Sequence, residues 1–138
     1  MTGEPSEKYH ALATKYFKEG EYRKALENNI KQLNEDLKYY REERSEIALD
    51  YNEIALSYDE LGQYDQAIEY YKKSIKIDDA ILEDNNTERA TTYFNLASSL
   101  ESIGSEKEAL SYYVKALAID KENREISSKV DEMKKKIK

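Results

Sequence analysis

The chain has 138 residues, a formal net charge of −7, no cysteine, one histidine, four glycines and one proline. That inventory excludes disulfides, thiol catalysis, iron–sulfur clusters, most structural zinc sites and histidine-cluster metal centres. A hydrophobic fraction of 39% beside a charged fraction of 37% supports a core but no membrane span, and the acidic balance makes nucleic acid and anionic lipid poor partners. So few glycines and prolines leave little punctuation for a many-turned β fold. The balance points to an all-α, non-catalytic protein that needs no cofactor.

At the N-terminus, Met1 to Lys8 shows no basic start followed by an apolar run, so no secretory leader is expected and a reducing, cytoplasmic setting is. The glycosylation-like Asn85-Asn86-Thr87 carries no weight in that setting. From there the chain repeats itself. Gly20, Gly62 and Gly104 recur at a step of 42 residues. In the same register lie Tyr9, Tyr51 and Tyr93; Ala13, Ala55 and Ala97; Ala25, Ala67 and Ala109; Leu33, Ile75 and Leu117; and Asp36, Asp78 and Asp120. The spacing predicts three units, over about 6–47, 48–89 and 90–122.

Each unit reads as two helices. In the second, Tyr51, Ile54, Ala55 and Tyr58 share one helical face. Gly62 ends that helix, and Tyr64, Ala67, Ile68, Tyr71 and Ile75 form the stripe of the next. The alanines let paired helices approach closely. Ser45 and Thr87 are expected as helix caps, and Ser105 with Glu108 as a capping box. Beyond Asn123, the stripe Ile126, Val130, Met133 and Ile137 predicts a terminal helix over 123–138 that covers the third unit. Its lysines, Lys134 to Lys136 and Lys138, read as a solvated helix end.

The run from Tyr51 through Gly62, Tyr64, Ala67 and Tyr71 to Ile75, with Tyr93-Phe-Asn-Leu-Ala, Gly104, Ala109, Tyr113 and Ala116, resembles the tetratricopeptide repeat (TPR) family. The closing proline of that family is absent, Asn29 stands for an aromatic, and Glu106 stands where Tyr22 and Tyr64 fall in the other units. The step is longer than the family's usual 34 residues, which implies second helices extended by about two turns, roughly 12 Å. Long units of this format are similar to those of kinesin light chains and Pins-type adaptors. The resemblance implies an all-α, right-handed α-solenoid of three helix pairs with a C-terminal capping helix.

It also implies a concave groove lined by the first helix of each unit. The expected lining is Glu7, His10, Thr14 and Phe17; Leu49, Asn52, Glu53, Leu56 and Asp59; and Thr91, Phe94, Asn95, Ser98 and Glu101. Phe17, Leu49, Leu56 and Phe94 would be apolar anchors, and Asn52 and Asn95 would meet a peptide backbone. Glu7, Glu53, Asp59 and Glu101 favour a neutral or basic ligand. Heat-shock co-chaperones of the family hold a C-terminal carboxylate with cationic residues. Here His10, Thr14, Glu53, Thr91 and Asn95 stand at those places, and Glu53 would repel one.

The expected function is therefore an adaptor that binds a peptide or helix of another protein. A self-associating scaffold is the alternative. His10 is expected as solvated surface, as are Asp78, Asp79 and Asp84. Met1 and the charged terminal helix fit a self-contained unit, and an excised segment or an engineered array would read the same.

Overall fold

The computed structural model describes residues 5–83 and 85–137; Asp84, the N-terminal Met1 and the terminal Lys138 of the expectations above lie outside them. Among the described residues seven helices follow one another and there is no strand: α1 (Lys8–Lys18), α2 (Tyr22–Asp36), α3 (Ser45–Glu60), α4 (Tyr64–Ile81), α5 (Thr87–Ser102), α6 (Glu106–Ile119) and α7 (Arg124–Lys136). α1 pairs with α2, α3 with α4 and α5 with α6, and each pair packs on the next through α2–α3 and α4–α5.

The turn inside each pair follows from its glycine. Gly20, Gly62 and Gly104 take φ of 75°, 75° and 84°, where a side chain would clash with its own backbone. The next amide then reaches back to close the helix: Glu21 N–H to Tyr16 O, Gln63 N–H to Tyr58 O and Ser105 N–H to Leu100 O, at 2.8, 2.9 and 2.9 Å.

The caps differ from expectation. α3 starts after Arg44, which makes no side-chain cap, and Ser45 turns its hydroxyl to Glu46. At α5 the cap is Asn86 rather than Thr87; its side chain accepts from Glu88 N–H at 2.8 Å. Ser105 forms no capping box, because Glu108 pairs across helices with Lys72 at 3.1 Å. The extra residues of the long repeat are also divided differently. They lengthen α4, at 18 residues, but in the first unit α2 stops at Asp36 and residues 37–44 form the connection to α3.

Small residues set the helix spacing. Ala25, Ala55, Ala67, Ala97 and Ala109 are wholly buried. One apolar cluster holds Leu26, Leu33, Ile47, Tyr51 and Ile54; a larger one runs from Ala55 to Met133. α7 closes the larger one with Ile126, Val130 and Met133, as its stripe requires. Along one edge the repeat writes a ladder of lysines over rings: Lys31 over Tyr9, Lys73 over Tyr51 and Tyr70, Lys115 over Tyr93 and Tyr112, at 5.1–5.9 Å.

Carboxylates lock consecutive elements. Asp59 on α3 accepts from Tyr71 on α4 at 3.2 Å and from Ser99 on α5 at 3.1 Å. One step on, Glu101 accepts from Tyr113 at 2.8 Å and from Lys129 on α7 at 3.1 Å. One step back, Phe17 stands where the acid would be and Asn29 where the tyrosine would be. Phe17 packs edge-on to Tyr22 at 5.1 Å, and Asn29 donates directly to the Ser57 hydroxyl at 2.8 Å.

Candidate functional site

Three hollows follow the repeat across α1, α3 and α5. The first, about 100 Å³, lies between α1, the end of α2 and the start of α3, and is bounded by Glu7, His10, Gln32, Asp36, Tyr40, Glu46, Leu49 and Asp50. The second, about 460 Å³, opens between α3, the end of α4 and the start of α5, where Leu49, Asn52, Asp78, Glu88 and Thr91 meet. The third, about 190 Å³, sits between α5 and α7 beside Thr91, Phe94, Asn95 and Asp120. Glu46 and Leu49 border both the first and second hollows, and Thr91 both the second and third, so the three form one trough. Each hollow contains an aspartate from the C-terminal end of a second helix: Asp36 closing α2, Asp78 in the last turn of α4, or Asp120 capping α6.

The expected lining residues divide into two sets. Glu7, His10, Leu49, Asn52, Thr91, Phe94 and Asn95 border the hollows. Leu49 is 51% exposed although apolar, and it stands at the junction of the first two hollows. Asn52 Oδ1 is buried and meets no donor. Thr14, Phe17, Glu53, Leu56, Asp59, Ser98 and Glu101 lie outside the hollows. Leu56 and Phe94 are partly buried against the larger apolar cluster, Phe94 edge-on to Tyr113 at 5.3 Å, rather than open anchors. Asp59 and Glu101 use their carboxylates in the helix-to-helix locks, so they are not free groove charges. The backbone carbonyl of Glu53 accepts from Asn29, and burial raises its carboxyl while the charge of His10 opposes the rise.

The acids at the trough floor are the residues sequence reasoning missed. Asp36 and Asp50 are each 6% exposed. Gln32 donates to Asp36 at 3.1 Å, whereas Asp50 Oδ2 meets no donor. Burial raises the Asp50 carboxyl well above the ordinary range, and the neighbouring Asp36 carboxyl, then Glu53 and Glu46, push the same way. Asp78 is pushed up to about 6, by burial first and then by the charges of Glu88 and Asp79. Asp79 is exposed, as expected from sequence, and it also staples α4 to α5: Arg89 grips it at 2.9 and 3.0 Å, and Tyr93 donates to its other oxygen. The alignment of Asp36, Asp78 and Asp120 was the available signal. No three carboxylates or histidines among the described residues converge on a metal position, and no helix there is long and apolar enough to cross a membrane.

The family described as tetratricopeptide repeat matches residues 45–122. Among solved structures, an array of nearly identical kinesin-light-chain TPR-like repeats from Podosopora anserina is 23% identical with a TM-score of 0.75, over 84% of this chain and 55% of that one. BtubC from P. vanneervenii is 24% identical with a TM-score of 0.77, over 83% and 45%. The first TPR of Spaghetti, bound to the HSP90 peptide SRMEEVD, is 17% identical with a TM-score of 0.75, over 97% and 98%. The chain thus spans about half the length of the first two arrays. No curated protein matches it by sequence.

Proposed function

The chain belongs to the tetratricopeptide repeat family and has its right-handed solenoid of helix pairs, and from that premise we propose that it is an adaptor binding a segment of another protein along the trough. The observation that carries this reading is the junction on α3, where exposed Leu49 stands one turn from the undonated Asn52 Oδ1. An apolar anchor beside an empty acceptor suits a peptide, which brings both side chains and N–H groups. Glu7, Glu46, Asp78 and Glu88 around the same surface favour a neutral or basic segment. The acidic peptide bound by the first TPR of Spaghetti would meet repulsion from these same carboxylates.

The test is capture from a lysate of the source cell, with Leu49→Arg/Asn52→Ala beside the wild type, read by mass spectrometry. A protein retained by wild type and lost from a variant of unchanged helicity supports the trough. Equal capture by both overturns it. Self-association is the second reading, because α1 buries only Ala13 and leaves the first pair thinly covered. A monomeric mass in sedimentation at high concentration would remove it.

A further inference from the structure

The first hollow gathers four carboxyl groups, against three in the second and two in the third. Asp36 closes α2 and Asp50 stands on the second turn of α3, both nearly inaccessible, with their carboxyl groups side by side. One oxygen of the pair, Asp50 Oδ2, has no donor. Glu7 and Glu46 stand at the same hollow, and among the described residues its titratable lining also includes His10 from α1 and Tyr40 from the connection. Glu53 adds charge from α3 itself. The chain's own Arg44 does not fill the space. It lies over the Tyr40 ring at 5.4 Å and 3.7 Å from Glu46, with its side chain 58% exposed.

We propose that this hollow receives an arginine side chain of the bound segment, whose guanidinium sits on the Asp36–Asp50 carboxylate pair. The inference rests on the trough being a partner-binding surface, and it names the chemistry that one part of it recognises. About 100 Å³ suits a side-chain head group and not a peptide turn. A planar fork of N–H donors matches two adjacent carboxylates, and it supplies the donor that Asp50 Oδ2 lacks. Glu46 and Leu49 then lead from the hollow into the central cleft, so an arginine held here is continuous with a segment crossing α3. In the empty protein burial and the neighbouring Asp36 carboxyl both hold Asp50 in its neutral form. Seating the guanidinium releases the Asp50 proton to solvent. Each association then frees one proton, and the affinity rises with pH by up to about tenfold per unit from neutrality until Asp50 is ionised without ligand.

N-acetylarginine amide is the probe, titrated into the full chain with ¹³C-labelled aspartate carboxyls and followed by NMR. N-acetylcitrulline amide, of the same shape and without charge, is the control. The expected result is that the arginine probe moves the Asp36 and Asp50 carboxyl resonances, more tightly at about pH 8 than at about pH 6, with calorimetry in two buffers showing proton release. Citrulline leaves both in place. Asp50→Asn can still donate to Asp36 but cannot ionise when the guanidinium arrives, so it keeps the fold and weakens the arginine probe by roughly tenfold or more. Asp36→Asn repeats the test from the other side. Equal response to citrulline, undiminished binding by both variants, or resonance changes that miss Asp36 and Asp50 would overturn the proposal. If a partner captured from lysate is lost from Leu49→Arg/Asn52→Ala yet kept by Asp50→Asn, the arginine assignment fails while the trough stands.

Discussion

Asp50 stays neutral in the folded chain at pH values where it is ionised in the unfolded one. The sign follows from linkage: a carboxyl raised on folding gives stability that is complete below the ordinary carboxylate range, about 4, and declines as pH climbs toward the raised value. Wild type should therefore lose stability between about pH 5 and about pH 8 in urea unfolding, and Asp50→Asn should show a flatter profile. Equal slopes would show that folding does not raise the Asp50 carboxyl. The glycines make a separate prediction. Gly62→Ala meets no neighbour within 4 Å, so its whole cost is the φ of 75°. That conformation costs an alanine about 1–2 kcal/mol, visible as a shifted urea midpoint with an unchanged slope. Gly62 was legible in the sequence because its role is local. Asp50 was not, since an acid between apolar residues on a helix reads as an outward polar position, and only the approach of α2 from residues 32–36 buries it.

The locks between helices belong to the next scale. Tyr71→Phe would leave half-buried Asp59 with Ser99 as its remaining donor, at a cost of about 2 kcal/mol for a hydrogen bond to a charged group. Chemical denaturation followed by circular dichroism checks it, and a change below measurement error would show that the lock is idle. At Glu101 burial would raise the carboxyl, but the bonds from Tyr113 and Lys129 and the charges of Lys129 and Lys136 outweigh it and hold it low. Its contribution is therefore present at neutral pH and lost as pH falls through that lowered value. The terminal helix has an apolar counterpart: Met133 is wholly buried, and Met133→Ala should cost about 2–5 kcal/mol through the cavity it leaves. Helix existence and faces were legible from the apolar spacing. The caps were not, because Ser45 and Thr87 sit one residue inside helices whose ends are set by how α2 and α4 deliver the chain.

Across the whole molecule, substantial packing joins helices that are neighbours in the chain, so stability is graded along the array. α1 buries one residue, whereas α3 and α5 are wedged between pairs and bury seven each. Hydrogen exchange should be fastest in α1 and slowest in α3 to α6; uniform protection would show one indivisible cooperative unit. The solenoid was legible because its period is in the residues. The trough was only partly so: the first-helix faces could be read, but the ends of α2 and α4 that complete the hollows belong to other elements. The locks carry a consequence for how such a chain can grow. Asp59 takes its second hydrogen bond from Ser99 in the following unit, and the second unit carries Ser57 at that same register position. A tandem duplication of the second unit would thus give the first copy's aspartate a serine to bond, and lengthening the gene by one whole period leaves no carboxylate stranded. Glu101 relies on Lys129 of the terminal helix, so the same duplication placed after the third unit would separate that acid from its cation.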